Sequence, residues 1–162
     1  MKIIGITQRE ELKNSFGEIR NSLDKRWFYL LELLDFTPVP LPQVSIKSSS
    51  KLIDSLNLSG LILSGGNSLY ECATEDCSID RDLFEISLIK HCIKKEVPIL
   101  GVCRGMQLIN KFFQGKLNKV EGHVDTYHKI FFDPYYSDYC STSVNSFHNF
   151  AINKKGLGKD LS

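Results

Sequence analysis

The sequence has no excess of charge of either sign: 20 Lys+Arg stand against 19 Asp+Glu, a formal net charge of +1 over 162 residues. That balance excludes a bulk electrostatic grip on nucleic acid or anionic lipid, so neither is expected as a partner. No apolar run approaches the roughly 20 residues that a membrane span requires. The opening Met1-Lys2-Ile3-Ile4-Gly5-Ile6-Thr7 turns polar too soon for a secretory leader. Five cysteines (Cys72, Cys77, Cys92, Cys103 and Cys140) make an odd count with no C-x-x-C pair. A disulfide framework is therefore not expected, and the setting indicated is cytoplasmic and reducing.

What is present is the alternation of a parallel α/β sheet, in which short apolar runs rich in β-branched residues are separated by helix-period stretches. Residues 3–7 read as the first strand, 21–36 as a helix with Leu23, Trp27, Leu30, Leu31 and Leu34 on one face, and 38–41 as a second strand. Ser48-Ser49-Ser50 reads as the cap of a helix that turns Leu52, Ile53 and Leu56 inward. Leu61-Ile62-Leu63 is an all-apolar strand that stops at Ser64-Gly65-Gly66. Asp80 reads as the cap of a helix over 81–95, and 98–102 as a strand buried on both faces. A helix then runs through Phe113, and strands are expected at 124–133 and 141–144. With 42% apolar and 24% charged residues and no repeat or low-complexity linker, the chain is expected to form one domain over 1–162. A chain of this size buries roughly 70% of the surface it exposes when unfolded.

Gly101-Val102-Cys103-Arg104-Gly105 places a nucleophile-type residue between two glycines where a strand meets a helix. This is the thiol counterpart of the G-x-S-x-G elbow, in which small neighbours let a strained turn hold the nucleophile clear of the sheet edge. A sulfur there faces the positive end of the helix's peptide dipoles, which suits a nucleophile that attacks as an anion. Acyl transfer also needs donors for a tetrahedral oxyanion. The N–H of Arg104 is one candidate, and the glycine-rich end of the 61–63 strand would supply the other, because loops at strand carboxyl ends open on the same edge of a parallel sheet.

Leu63-Ser64-Gly65-Gly66, Arg81-Asp82 with Glu85, the stretch 98–107 with Asn110, Gly115 with Leu117, and Val144-Asn145-Ser146-Phe147-His148 together resemble the class I glutamine amidotransferases. Within them the resemblance is to the γ-glutamyl hydrolase branch, of peptidase C26 type, and it runs from the first strand to about Ile152. It implies an α/β fold with a flavodoxin-like, doubly wound, mainly parallel sheet and helices on both faces. It also implies hydrolysis of a γ-glutamyl amide bond: Cys103 attacks, the backbone N–H groups of Gly66 and Arg104 hold the oxyanion, and water releases glutamate from a thioester. Gly65 is expected beside the substrate and Gln107 is expected to help bind the glutamyl moiety. Asn145, Ser146, His148, Asn149 and Phe150 would contact its α-amino and α-carboxylate end. The partner is then a small γ-glutamyl compound or glutamine, with no cofactor and no metal. Residues 2–9 and 144–150 resemble short bacterial members tied to surface-polysaccharide gene clusters, implying a γ-glutamyl group on a nucleotide-linked precursor. Two other readings stay open: the glutaminase component of a synthase, passing ammonia to a partner subunit, and a catalytically silent γ-glutamyl-binding remnant.

The family's base and its orienting carboxylate are a His and a Glu two residues apart, beyond the segment that resembles 144–148. This sequence has no His after His148 and no Glu after Glu121. The expectation is an amidotransferase-type domain that is incomplete at its C-terminal end, with hydrolysis severely weakened and His148 the candidate substitute base. His123 and His128 are expected on opposite faces of a strand, and Cys72, Cys77, His91 and Cys92 match no zinc spacing. The aromatic stretch 131–136 is expected to pack beside the sheet.

Overall fold

Successive side chains of a strand point to opposite faces, so an all-apolar strand needs partners on both sides. A computed structural model, which describes residues 2–13, 17–73, 75–132, 135 and 141–162, shows how this is met. The order is β1 (Ile3–Ile6), β2 (Arg9–Lys13), β3 (Glu18–Ser22), helix α1 (Arg26–Leu33), β4 (Thr37–Pro40), helix α2 (Ile46–Leu56), β5 (Gly60–Leu63), helix α3 (Ile79–Lys94), β6 (Ile99–Gly101) and helix α4 (Arg104–Phe112). Then follow β7 (Asn118–Lys119), β8 (Val124–Phe131), β9 (Ser141–Phe147), β10 (Phe150–Ala151) and a 3-10 turn, Lys154–Gly156.

The central sheet is parallel, in the order β4-β1-β5-β6. The chain leaves β1 toward β4 and returns to β1's other side for β5, so the winding reverses beside the carboxyl ends of β1 and β5. That is the doubly wound arrangement, and ligands bind at such an edge. On one face Ile4, Ile6 and Ile62 meet Leu31 of α1, with Trp27, Phe36 and Val102 packed around them. On the other, Leu61 and Leu63 meet Ile53 of α2, Phe84, Leu88 and Ile89 of α3, and Leu108 of α4. Each such side chain, fully buried, contributes roughly 1.5–3 kcal/mol.

The two faces are covered unequally. Among the described residues the eight-residue α1 is the helix packed on the first face, beside an open apolar groove of about 490 Å3 lined by Trp27, Leu30, Leu34, Ile62, Pro98 and Leu100 among others. Leu100 is 55% exposed. The strand expected to be buried on both faces is therefore the outer strand of the sheet among the described residues, apolar on an open side.

Local differences from the sequence reading have identifiable causes. The helix expected from residue 21 starts at Arg26, because Glu18–Ser22 instead pairs antiparallel with Arg9–Lys13. Ser48, Ser49 and Ser50 lie within α2, which begins after Ser45, and the Ser49 hydroxyl donates to the Ile46 carbonyl. The α3 cap is Ser78, whose hydroxyl oxygen accepts the Arg81 N–H, while Asp80 sits in the first turn. β9 continues to Phe147. Phe131 and Tyr135 are exposed, so the aromatic stretch does not pack beside the sheet where it is described; Asp133, Pro134, Tyr136 and Cys140 lie outside the described residues. A bulge between Val124 and Thr126, with Asp125 at φ +51°, re-aims the β8 entry. The His123 and His128 rings consequently stand 5.2 Å apart instead of on opposite faces. Among the described residues no helix is long and apolar enough to cross a membrane.

Candidate active site

Cys103 sits between β6 and α4 with φ 54° and ψ −109°, a conformation that non-glycine residues rarely adopt, and its side chain is exposed. Such backbone strain costs of order 1–3 kcal/mol and persists only where the surroundings enforce it. The enforcement is visible at the flanking glycines. A Cβ on Gly105 would lie 2.1 Å from the Leu63 carbonyl oxygen, and one on Gly101 would lie 2.7 Å from the Gly105 backbone. The elbow is thus pressed against the end of β5. The Val102 N–H donates to the Leu63 carbonyl at 3.0 Å, and the Gln107 N–H donates to the Cys103 carbonyl at 3.1 Å as α4 begins.

The glycine loop after β5 lies against the elbow. A Cβ on Gly65 would stand 3.3 Å from the Cys103 Cβ and 3.9 Å from its Sγ. Gly66 has φ +80°, in the left-handed region that favours glycine. As the first residue of α4, Arg104 has a backbone N–H without an acceptor inside the helix.

Cys103, Arg104, Gln107, His148, Asn149 and Phe150 line one small cavity of about 70 Å3. The Phe150 carbonyl ties its walls together, accepting from Gln107 Nε2 at 2.9 Å and from His148 Nδ1 at 3.1 Å. A carbonyl only accepts, so Nδ1 donates in this contact. The His148 N–H and the Ser146 hydroxyl both donate to the His123 carbonyl, at 3.0 and 2.7 Å. Ser146 is buried behind this wall, Asn145 is exposed on β9 opposite Tyr127, and neither lines the cavity. Gly65 and Gly66 are also outside the lining; Gly66 lies against the Arg9 side chain. The His123 ring lies 4.9 Å from the His148 ring, tilted by 43°, and its Nδ1 is buried without a hydrogen-bond partner. Among the described residues no group of three or more His, Cys, Asp or Glu could hold a metal ion.

Beneath the glycine loop lies a buried ionic cluster. The Arg81 guanidinium pairs with Glu85 at 3.0 Å and also donates to the carbonyls of Ser64, Gly65 and Gly66. The Arg104 guanidinium pairs with Glu85 and Asp82. Asp82 in turn accepts the Tyr70 N–H at 2.8 Å. Burial draws the Arg81 pKa down, opposed by the charge of Glu85, and burial raises that of Asp82, opposed by the Tyr70 N–H and Arg104. Two cations and two carboxylates leave the cluster neutral, the condition under which buried charge is tolerated.

Residues 2–162 match the family described as Peptidase C26. The chain belongs to that family. The gamma-glutamyl-CDP-amidate hydrolase of Campylobacter jejuni is 38% identical over 162 residues, covering 98% of this chain and 74% of that protein. A glutamine amidotransferase-like protein of Rickettsia prowazekii is 36% identical over 121 residues, 68% of this chain and 40% of that protein. The solved glutamine amidotransferase of Thermotoga maritima superposes with a TM-score of 0.62 at 13% identity, covering 98% of this chain and 70% of that one, which shows the shared fold. The peptidase C26 chain is thus a class I glutamine amidotransferase-like protein, of the γ-glutamyl hydrolase type.

Residues of this candidate site that the sequence pattern did not reveal come from the segment after the glycine loop. Asn67, Ser68, Leu69 and Cys72 line the cavity, as does Phe147. Burial raises the Cys72 thiol pKa, helped by nearby Glu71. No periodic pattern marks this segment; the readable signal was Asn67, a residue type that tolerates the φ of +57° found there.

Proposed function

We propose that this chain hydrolyses a γ-glutamyl amide bond through a thioester on Cys103, acting on a nucleotide-linked substrate of the CDP-amidate class. The observation that carries the reading is Cys103, held in a strained elbow beside Gly65 and opening on a cavity shared with Gln107 and His148. Cys103 Sγ attacks the γ-carbonyl carbon, and the Gly66 and Arg104 N–H groups receive the oxyanion. The C–N bond then breaks and the nitrogen leaves with a proton, as CDP-amidate in the substrate class proposed. Water attacks the thioester, releasing glutamate and restoring the thiol. Gln107, Asn149 and Phe150 would hold the glutamyl end, with Asn145 and Ser146 supporting that wall.

His148 is the base that these residues offer, with Nδ1 turned to the Phe150 carbonyl and Nε2 outside that contact. The His and Glu pair that the family resemblance implies is not among these 162 residues. Free Cys72, Cys77, Cys92 and Cys103 suit a reducing, cytoplasmic setting.

A diazo-ketone analogue of glutamine tests this, because it alkylates only a nucleophile aligned with a γ-carbonyl site. The expected result is one adduct on Cys103 by mass spectrometry, lost in Cys103→Ser. No adduct on a Cys103 that still reacts with iodoacetamide would overturn the catalytic reading in favour of a silent binding remnant. Glutamine hydrolysis that appears only with a second subunit would point to a synthase component instead. The DNA beyond the Ser162 codon decides the His and Glu pair directly.

A further inference from the structure

We infer that Arg81 is the positioning residue of the oxyanion loop: one buried guanidinium gathers three consecutive carbonyls and thereby turns the following amide N–H groups toward Cys103. The guanidinium is 1% exposed. Its Nη2 donates to the Ser64 carbonyl at 3.0 Å and the Gly65 carbonyl at 3.2 Å, its Nη1 to the Gly66 carbonyl at 2.6 Å, and its Nε to Glu85 at 3.0 Å. In a planar trans peptide the C=O of one residue and the N–H of the next point in opposite directions. Three carbonyls converging on Arg81 therefore aim the N–H groups of Gly65, Gly66 and Asn67 away from it, and of these residues Gly65 lies against Cys103.

Two glycines have no side chains to hold this shape, and three carbonyl dipoles crowded together repel one another. Only a planar, multi-donor cation can satisfy all three; an ammonium is a point charge with fewer, freely rotating donors. Nη1 also donates to Asn67 Oδ1 at 3.0 Å, pinning the exit of the loop. The other candidate oxyanion donor is reached from the same carboxylate. Glu85 holds Arg81 with one oxygen and Arg104, whose backbone N–H starts α4, with the other. The spacing between the Gly66 and Arg104 N–H groups is thus fixed by Glu85 through two arginines. The catalytic consequence rests on the thioester reading above, while the loop conformation does not.

The test compares wild type with Arg81→Lys and with the double variant Arg81→Met, Glu85→Met, which removes the ion pair without stranding a charge and keeps the experiment open if the single variant does not fold. Amide hydrogen exchange read by NMR is expected to quicken about tenfold or more at Gly65, Gly66 and Asn67, while amides of β1 stay within about twofold. Unchanged exchange at the glycines overturns the inference. Labelling of Cys103 by the diazo-ketone, which needs the oxyanion donors, is expected to slow about 100-fold, while iodoacetamide, which does not, stays within about twofold. Equal slowing with both reagents would make Arg81 merely structural and overturn the positioning role. If wild type takes no diazo-ketone at all, the proposed function fails, and the exchange measurement alone still decides Arg81.

Discussion

Two thiols of this chain lie in opposite environments. Cys103 is exposed at its elbow, whereas Cys92 is fully buried in the α3 core, where burial pushes its pKa from the usual 9.0 to about 11. A raised value means that the folded chain keeps the proton after the unfolded chain has lost it. The contribution to stability is complete below pH 9 and fades as pH rises toward 11. Chemical denaturation across that window is expected to show stability falling with pH in wild type and falling less in Cys92→Ala, once the cavity loss common to all pH values is subtracted. At pH 8, iodoacetamide followed by peptide mapping should modify Cys103 long before Cys92.

At the scale of elements, the site depends on how closely α4 can approach β5. The Gly105 Cα faces the Leu63 carbonyl, so a methyl group would have to displace backbone and not a flexible side-chain end. Gly105→Ala is expected to destabilise by about 3 kcal/mol or more, read as a drop in the denaturant midpoint, and to displace Cys103. The elbow was legible in the sequence because its parts are contiguous: Gly101, Cys103, Gly105 and Gln107 are all local, as are the apolar runs of β1, β5 and β6. The β2–β3 hairpin was not legible, since Arg9–Lys13 and Glu18–Ser22 are mostly polar and carry no alternation that a buried face would impose. The role of Arg81 was also hidden. Its spacing to Glu85 reads as an ordinary helix ion pair, and only the fold brings residues 64–66 to it, 15 to 17 positions away in the chain.

For the whole molecule, the unequal covering of the sheet matters most. The groove beside α1 presents Leu30, Leu34 and Leu100, each exposed by 45% or more. A continuous apolar surface of this kind captures apolar dyes, so the folded chain is expected to raise the fluorescence of 8-anilinonaphthalene-1-sulfonate. Leu100→Lys should lower that signal with little change in melting temperature, because Leu100 is already half in water. An unchanged signal would show that the dye binds elsewhere.

The Phe150 carbonyl reaches back 43 residues to Gln107. A ribosome releases the chain from its N-terminal end, so the elbow and its glycine loop emerge before the wall that faces them exists. While residues 118–150 are being made, the sulfur of Cys103 stands at an uncovered sheet edge, open to any electrophile in the cell. Alkylation of Cys103 is therefore expected to be most rapid while the chain is nascent.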